Sequence, residues 1–384
     1  MTRNPKNALA LILFLICALF ILVNSRTSRS VGQTRGSNSL SNWRPGKNTN
    51  GIRYVGSSKC ARCHSTQAAT QPATSMGHAL SLVGDCEILS ARPLLTFRNG
   101  LYTYRITRHG NRSIYTVTDG VNTISEPILY CFGQDKVGQT YSFRHNGLFY
   151  ETRISYYRGI DALDFTIGQR RSVPTSLEEA LGRVVAPTET QSCFGCHSTG
   201  AVNGSQLILD QLIPGVGCEA CHGPGENHIV AVKAGKVNGL QIFNPGILDA
   251  SDVTQSFCGS CHTSFEQAMV MPGQGGINNI RFQPYRIFNS AGHNLNDYRI
   301  SCIACHDPHK PLERDALFYD SKCLACHMAN LKAARTERRT APACPVSSRR
   351  CVSCHMPKSD LPGMHSEFTD HWIRVAKPND PIPH

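Results

Sequence analysis

The sequence lacks several features that would assign it to a common class of protein. Beyond its first 25 residues, no apolar run approaches the length of a membrane span. The formal net charge is +12, but no basic and aromatic run and no nucleic-acid motif accompanies it, so nucleic acid is not an expected partner. The chain has Cys-x-x-Cys pairs without a βαβ pattern, which excludes a thioredoxin-like redox motif. Its 18 cysteines in 384 residues are too sparse for a disulfide scaffold.

The chain begins with the pattern of an export signal. Arg3 and Lys6 precede a continuous apolar run at 8–23, which is short for a membrane span but normal for a signal-peptide core. Residues 1–25 are therefore a predicted signal peptide, with an uncleaved N-terminal anchor as the alternative. Residues 26–50 are rich in Ser, Asn, Thr, Gly and Arg and predict a flexible linker. We expect an exported protein of the bacterial periplasm or outer cell surface, in contact with the membrane only through such an anchor.

Seven copies of Cys-x-x-Cys-His carry the clearest chemistry. Two thiols three positions apart can reach the two vinyl groups on one edge of a porphyrin, and the next imidazole then lies under the iron. Numbered 1 to 7 in chain order, the motifs have the cysteine pairs Cys60 and Cys63, Cys193 and Cys196, Cys218 and Cys221, Cys258 and Cys261, Cys302 and Cys305, Cys323 and Cys326, and Cys351 and Cys354. The predicted proximal iron ligands are His64, His197, His222, His262, His306, His327 and His355. Zinc sites do not need a histidine directly after the second cysteine, so the predicted cofactors are seven covalently attached haem c groups.

The distribution of the motifs predicts the fold class and the domains. Motif 1 lies in a first haem segment at 51–91, and motifs 2 to 7 lie in a six-haem domain at 171–384. Motifs 2 to 7 occupy about 27 residues each, too few to bury an aliphatic core around every cofactor. We expect a mainly α and irregular fold in which short helices surround stacked haems, with helices near 256–268 and 321–334.

A β-rich insert is predicted at 92–170. The chain alternates apolar and polar residues there, and Arg98-Asn-Gly, His109-Gly-Asn, Asp119-Gly and His145-Asn-Gly separate the alternating runs. These are the marks of antiparallel hairpins. The insert is expected to be a small antiparallel β-meander of five or six strands that covers the haems, with a docking face for a partner as the alternative.

The sixth iron ligand separates an electron carrier from a haem that binds substrate. His309 follows His306 too closely to reach the opposite face of the same haem, so it is expected to ligate a neighbouring one. The six distal candidates are His78, His228, His293, His309, His365 and His371, with Met76 as the alternative to His78. His109 and His145 lie at predicted turns, where an exposed histidine is usual. Six candidates for seven irons leave one ligand unassigned, and one of these two remains open for it.

Three cysteines outside the motifs and the leader have no predicted cofactor. They are Cys86, Cys131 and Cys344, and an odd number leaves at least one of them free or paired between chains. Buried small hydrophobic side chains are the expected role.

Several segments resemble a known group of proteins. They are V-G-S-S-K-C-A-R-C-H before His64, C-E-A-C-H-G-P-G-E-N-H at 218–228, C-I-A-C-H-D-P-H at 302–309, and the later C-H-M-P and F-T-D-H-W segments. Over residues 51–375 the chain resembles the multihaem cytochromes c related to the tetrahaem cytochrome of hydroxylamine oxidation and to pentahaem nitrite reductase. The resemblance implies that His228 and His309 are distal ligands of other haems. The Cys-x-x-Cys-Lys motif that marks the catalytic haem of those reductases does not occur here.

The sequence favours an electron carrier over an enzyme. The expected protein is a heptahaem c-type cytochrome that transfers electrons between unidentified redox partner proteins through mostly bis-His haems, and no catalytic residue is predicted. The alternative is a reductase or oxidoreductase that acts on a small nitrogen or sulfur compound at one haem with an open position. Its basic candidate surface near the β-insert consists of Arg105, Arg108, Arg112 and His109. A passive haem-bearing scaffold in an outer-surface assembly is the third hypothesis.

Overall fold

The computed structural model describes residues 51–134, 136–236, 238–271, 275–290, 300–327, 344–377 and 380–383. These residues belong to one compact unit, Trp43–His384. The predicted signal peptide, the predicted linker and the candidate ligand His293 lie outside the described residues, as does the end of the helix expected at 321–334. Within the described ranges, no helix is both long and apolar enough to cross a bilayer.

An antiparallel sheet of ten strands occupies the first half of the described chain. Its strands are β1 (Leu80–Leu82), β2 (Leu94–Asn99), β3 (Tyr102–His109), β4 (Arg112–Thr118), β5 (Thr123–Gln134), β6 (Gly138–His145), β7 (Leu148–Thr152), β8 (Ile154–Tyr157), β9 (Ala162–Phe165) and β10 (Gly182–Val184). The main path runs β10-β7-β6-β5-β4-β3-β2, while β1 pairs with β5 and β8 pairs with both β6 and β9. Neighbours in sequence are mostly neighbours in the sheet, which is the topology of a meander.

All four predicted hairpin turns are confirmed. They connect β2 to β3, β3 to β4, β4 to β5, and β6 to β7. In the last of these, Asn146 and Gly147 have φ of 50° and 80°. Two consecutive left-handed residues suit the twist of a two-residue hairpin, and Asn-Gly adopts that conformation at little cost.

The predicted size of the sheet was wrong. Ten strands replace the expected five or six, so the described part of the chain is a combination of short helices and a large sheet rather than mainly α. Strands β1 and β10 have three residues each and pair only at the margins of β5 and β7. Strand β8 is buried at every position. Strands of three residues are too short to show an alternation of apolar and polar residues, and a strand buried at every position does not alternate. These strands therefore could not be recognised from the sequence pattern.

The main hydrophobic core lies on one face of this sheet. Tyr102, Tyr104 and Ile106 alternate with more exposed residues along β3, and Tyr115 and Val117 do so along β4. This period of two turns all five side chains to the same side. Cys86 and Cys131 belong to the same core, which confirms their expected burial, whereas Cys344 is exposed.

A second, smaller core joins the sheet to the first motif that follows it. Phe194, between the two cysteines of motif 2, is 1% exposed and packs with Leu80, Ala201 and Val202. Its ring meets Tyr130 edge-on at 4.8 Å and Phe132 at 5.3 Å. Such aromatic pairs contribute about 0.5–1.5 kcal/mol each beyond the burial of their area. The sheet thereby fixes the position of motif 2.

The remaining described residues form short helices and two-stranded sheets. The α-helices are α1 (Ser57–Cys60), α2 (Ser65–Thr70), α3 (Glu87–Ala91), α4 (Leu177–Leu181), α5 (Pro187–His197), α6 (Cys218–His222), α7 (Glu226–Lys233), α8 (Gly259–His262), α9 (Phe265–Met269), α10 (Gln283–Phe288), α11 (Cys302–Cys305), α12 (Ala316–His327) and α13 (Cys351–His355). Five 3₁₀ turns are described at Gln71–Ala73, Val83–Asp85, Leu209–Gln211, Pro245–Ile247 and Gly276–Asn279, and a π-helix at Asp252–Cys258. The small sheets pair β11 (Ser198–Thr199) with β14 (Ile213–Pro214), β12 (Val202–Asn203) with β13 (Gln206–Leu207), and β15 (Lys358–Asp360) with β16 (Glu367–Thr369).

The single helix expected near 256–268 is interrupted. The π-helix leads directly into α8, and α9 follows after Thr263, whose φ is 69°. A left-handed residue ends an α-helix, and Ser264 then caps α9 with a capping box that includes Gln267. The positive φ of Thr263 therefore ends α8 at the motif histidine, His262.

Candidate haem centres

Each motif lies on or beside a short helix. Residues three apart in an α-helix lie on the same face, which is the arrangement that one porphyrin edge requires. The helices α5, α6, α8, α12 and α13 all end at the motif histidine. At the end of a helix this imidazole can turn away from the helix axis towards an iron beside the two thiols.

Several of the predicted ligands are oriented by the backbone. The Nδ1–H groups of three motif histidines donate to carbonyl oxygens: His197 to Ala79 at 3.0 Å, His222 to Phe243 at 3.0 Å, and His355 to Arg374 at 2.9 Å. Metal-binding histidines commonly donate their second ring N–H in this way, which fixes the tautomer and leaves Nε2 for the metal. The three motif residues therefore have the tautomer and the support that iron ligation needs.

Three pairs of imidazoles have the spacing of two axial ligands on one iron. The ring centroids of His64 and His228 are 6.4 Å apart, those of His222 and His309 are 6.2 Å apart, and those of His306 and His371 are 6.3 Å apart. Two imidazole nitrogens on opposite sides of a metal, each at about 2 Å from it, put the ring centroids about 6 Å apart. The residues present therefore fit haem at motifs 1, 3 and 5, and in each case the second imidazole comes from another part of the chain.

The pair at motif 5 favours the neutral imidazole that binds iron. Burial lowers the pKa of His371 to about 4, against the effect of its hydrogen bond to the Thr369 carbonyl at 3.1 Å. Burial also lowers the pKa of His306, the other member of that pair. Among the distal candidates, His228 donates from Nδ1 to the Leu240 carbonyl at 2.8 Å.

The other histidines are arranged differently. His78 is exposed, in the loop just before Ala79, and is not part of these three pairs. His365 directs Nε2 to Asp164 Oδ2 at 2.7 Å and packs edge-on against Tyr157. For both, ligation of an iron stays a prediction. His109 is exposed as expected, but His145 is largely buried between Glu126 and Glu178, which engage its two nitrogens.

A buried ion pair holds the segment that carries His371. Arg286 Nε and Nη2 donate to the two carboxylate oxygens of Asp370, both at 2.8 Å, and the two side chains are 0% exposed. Arg374 Nη1 and the backbone N–H of Trp372 also donate to Asp370, at 2.6 Å and 2.9 Å. The sequence pattern did not predict this network. The one signal for it is the acidic residue directly before a candidate ligand in F-T-D-H-W.

Two more carboxylates join separate motifs. Glu219, within motif 3, is 2% exposed and accepts hydrogen bonds from the N–H groups of Val55, Gly56 and Gly225 at 2.7–2.8 Å. It therefore ties the chain before motif 1 to motif 3. Asp320, on α12, accepts from the N–H groups at 350 and 351 at 2.7 Å and 2.9 Å, which caps α13 and ties motif 6 to motif 7.

Contacts between motif cysteines define the order of the motifs in space. Cysteines of different motifs lie close to each other, which places motif 1 next to motif 3, motif 2 next to motif 4, and motif 4 next to motif 5: Cys60 near Cys218, Cys196 near Cys261, and Cys258 near Cys302. Motifs 3 and 4 adjoin where Cys221 lies close to Cys258 and Cys261. Motifs 5, 6 and 7 follow through contacts of α11 with α12 and of α12 with α13. The order is 1-3-4-5-6-7, and motif 2 branches from motif 4.

Motif 2 opens into a cavity beneath the sheet. The cavity has a volume of about 320 Å³, and Cys193 and His197 lie on one side of it. Its other walls include residues of β5 to β7, together with Tyr157 of β8, Arg281 and Met364. His197 is the one histidine in this lining. Among the described residues, the lining of this cavity therefore brings one imidazole to motif 2.

Of the basic candidate residues on the β-insert, Arg108 has a structural role. The guanidinium of Arg108 donates to the carbonyl oxygens of Val83, Gly84 and Gly110, so it fastens the turn before Cys86 to β3. Arg105 and Arg112 are exposed on neighbouring strands. The three side chains do not line the cavity at motif 2.

Comparison with known proteins supports the class that the motifs predict. The family model of cytochrome c554 and c-prime matches residues 167–223, which contain motifs 2 and 3. Together with the repeated motifs, this match supports a multihaem cytochrome c with covalently bound haem. A large antiparallel sheet accompanies the helices that carry the motifs.

Individual relatives are similar over different lengths. Cytochrome c-554 of Nitrosomonas europaea is 30% identical over 91 residues, which are 21% of this chain and 37% of that protein. The chain thus matches little more than a third of that relative's length. Among solved structures, outer cell wall cytochrome OcwA aligns with a TM-score of 0.48 and 17% identity, covering 86% of this chain and 82% of that one.

Proposed function

We propose that this protein is a heptahaem c-type cytochrome that conducts electrons through covalently bound haems outside the cytoplasm. The observation that carries the proposal is the set of three imidazole pairs at 6.2–6.4 Å, each of which joins a motif histidine to a histidine from elsewhere. When bound, each haem supplies a one-electron iron couple. Imidazoles on both faces would fill the coordination of the iron and favour electron transfer over substrate binding.

The spatial order of the motifs supports a continuous path for electrons. Haems attached to adjoining motifs would be close neighbours, because their anchoring cysteines lie close together. The path would run from motif 1 through 3, 4, 5 and 6 to motif 7, with a side branch at motif 2. The contribution of the protein is to fix this geometry and to tune each potential through the ligands and the burial of the iron.

The test is a haem count combined with low-temperature EPR of the oxidised protein. Seven haems per chain are expected, with low-spin ferric signals from at least motifs 1, 3 and 5. A chain with fewer than seven haems, or a spectrum dominated by high-spin iron, would contradict the proposal. Mass spectrometry of haem-bearing peptides then assigns each haem to its motif.

A second candidate function is a reductase or oxidoreductase that acts on a small nitrogen or sulfur compound at one open haem. The cavity at motif 2 favours it, because His197 is the one imidazole among the lining residues. A haem without a sixth protein ligand can bind and transform a small molecule. A stoichiometric high-spin signal that shifts when nitrite or hydroxylamine is added would support this function. Seven low-spin signals would exclude it in its simple form.

We also propose that the protein is exported and exchanges electrons with redox partner proteins. The apolar leader and the extracytoplasmic attachment of haem c both favour an exported protein, at the bacterial periplasm or outer cell surface. Fractionation of cells that express the full chain, with haem staining of each fraction, tests this location. Haem stain confined to the cytoplasm would contradict it, and salt extraction from membranes would distinguish a cleaved leader from an anchor.

A further inference from the structure

Cys86 and Cys131 are two neighbouring cysteines in the main core, outside every haem motif. Their side chains are 1% and 0% exposed. They lie close together, since contact between the two thiols lowers the pKa of Cys86 and raises the pKa of Cys131. The motif cysteines that lie close to each other are predicted to bond to haem, whereas these two have no such use. Each therefore has the other as a covalent partner within reach.

The pairing of β1 with β5 brings the two cysteines together. Ser81 on β1 lies opposite Cys131 on β5. The 3₁₀ turn Val83–Asp85 follows β1, and Cys86 comes directly after this turn with its N–H donating to the Val83 carbonyl at 3.3 Å. The short separation between Ser81 and Cys86 keeps Cys86 near the part of β5 that carries Cys131.

Two further contacts hold the Cys86 side chain in place. The guanidinium of Arg108 on β3 donates to the carbonyl oxygens of Val83 and Gly84, which fixes the turn before Cys86. The Cys86 thiol donates to Gln139 Oε1 at 2.8 Å, on β6, which is the neighbour of β5 in the sheet. Because the fold already orders the chain around both thiols, a bond between them requires little further ordering.

We propose that Cys86 and Cys131 are joined by a disulfide bond in the exported protein, which anchors the segment that follows motif 1 to β5. Disulfide bonds form and persist outside the cytoplasm, so the inference rests on the proposed export. The bond closes a loop of about 45 residues in the unfolded chain, and the gain in stability increases with the length of such a loop.

The oxidant is a disulfide of an extracytoplasmic thiol oxidase. The thiolate of one cysteine attacks that disulfide, which forms a mixed disulfide and releases one sulfur of the oxidase as a thiolate. The thiolate of the other cysteine then attacks the mixed disulfide, so that the bond between Cys86 and Cys131 forms and the oxidase leaves as a dithiol. Two electrons and two protons pass from the cysteine pair to the oxidase. Since both thiols are buried in the folded chain, this exchange takes place before the core closes.

The first experiment determines the state of the two thiols in the cell. Cells that express the full chain are quenched in acid, and the proteins are then denatured at neutral pH with an excess of N-ethylmaleimide, which blocks every free thiol. Peptide mass spectrometry of the haem-loaded protein is expected to find Cys86 and Cys131 unlabelled and cross-linked, with the loss of two hydrogen atoms. After reduction both should take the label. In the Cys86→Ser variant, Cys131 should be labelled without reduction, which verifies that the reagent reaches it.

The outcomes separate this inference from the proposed function. Labelling of both cysteines in exported, haem-loaded wild-type protein would overturn the inference and leave the proposed function standing. A cross-link from either cysteine to Cys344 of another chain would also overturn it. A chain found in the cytoplasm alone, with both thiols labelled, would contradict the proposed export and overturn this inference with it.

Thermal unfolding of the purified holoprotein tests whether the bond anchors the segment. A thiol reductant is expected to lower the unfolding midpoint of the wild type by about 5 °C or more, to that of the double variant Cys86→Ser with Cys131→Ser. The double variant in the same reductant measures the effect of haem reduction, which is subtracted. Cys344→Ser, at an exposed cysteine, is the matched control and should respond as the wild type does. An unchanged wild-type midpoint after this subtraction would overturn the anchoring role.

Discussion

Asp370 is a buried carboxylate that precedes the candidate iron ligand His371 in the chain. Replacing it tests whether the ion pair with Arg286 holds His371 in position. Asp370→Asn keeps the shape of the side chain but leaves Arg286, which is 0% exposed, without its counter-ion. Breaking one side of a buried pair costs about 3–5 kcal/mol. We therefore expect a lower free energy of unfolding, and a partial change of the motif 5 haem to high spin because His371 is no longer held. Thermal unfolding and EPR measure the two effects.

Two variants make the Asp370 result interpretable. His371→Ala is expected to give the same change of spin state by direct loss of a ligand, and Asp85→Asn removes an exposed carboxylate and should change neither measurement. If Asp370→Asn unfolds as wild type does and stays fully low-spin, the ion pair does not position His371.

His228 offers a direct test of a distal ligand. His228→Ala should open the iron at motif 1, add one high-spin haem per chain and raise the potential of that haem, because a strong axial donor is lost. EPR spin quantitation and a potentiometric titration measure the change. His109→Ala, at an exposed hairpin turn, is the matched control and should leave the spectrum unaltered. An unchanged spectrum for His228→Ala would remove it from the ligand set.

The sequence predicted the roles of some candidate ligands but not the roles of the buried carboxylates. His228 could be proposed as a candidate because a Gly-Pro-Gly turn can direct the chain back towards an adjacent haem. His309 could be proposed because its short spacing from His306 prevents it from serving the same haem. Glu219 and Asp370 could not, because their partners lie 163 and 84 residues away in the chain. Nothing in the local pattern distinguishes a carboxylate that is solvated from one that accepts several buried hydrogen bonds.

The link between the chain before motif 1 and motif 3 depends on Glu219. Glu219→Gln replaces one acceptor oxygen by an amide group that faces backbone donors, so at least one buried N–H loses its partner. The expected loss is about 1–3 kcal/mol of stability, with faster hydrogen exchange in residues 51–60. Chemical denaturation and hydrogen exchange measure these effects. Glu87→Gln, at an exposed position of α3, is the control, and equal stability of the two variants would contradict the role of Glu219.

Strand β10 depends on a glycine at its first position. Gly182 has φ of 139°, and a Cβ atom there would lie 2.1 Å from the carbonyl oxygen of Glu151 on β7. Gly182→Ala should therefore displace β10 and cost about 1–3 kcal/mol. Gly84→Ala is the control, since its Cβ would meet nothing closer than 3.8 Å and its φ is not left-handed. Similar unfolding midpoints for both variants would show that β10 can adjust without loss.

At the level of elements, hairpins were predictable and edge strands were not. A hairpin such as β6–β7 is specified by residues that lie next to each other, with His145-Asn-Gly at its turn. Strands β1 and β10 exist because β5 and β7 offer unpaired edges, so their structure comes from partners that are distant in sequence. The break within an expected helix lies at Thr263, whose φ is 69°, directly after the motif histidine His262.

For the whole molecule, the spatial order of the motifs differs from their order in sequence. Motif 2 follows motif 1 in the chain, yet motif 1 adjoins motif 3, and motif 2 adjoins motif 4. The seven motifs were evident from the sequence because each is a local pattern. Which motifs are neighbours in space was not evident. The sheet separates motifs 1 and 2 in the chain, and the packing of distant segments determines which motifs lie next to each other.

The branched order makes motif 4 the junction of the molecule. Removing its haem by the double substitution Cys258→Ser and Cys261→Ser should isolate motifs 5, 6 and 7 from motifs 1, 2 and 3. Attachment of the protein to a gold electrode through Cys344, an exposed cysteine shortly before motif 7, lets voltammetry count the haems that exchange electrons rapidly. The expected counts are seven for wild type and three for this variant. The matched control, Cys60→Ser with Cys63→Ser, removes the terminal haem and should retain six. A count of six for the motif 4 variant would show that electrons bypass the junction and would contradict the order 1-3-4-5-6-7.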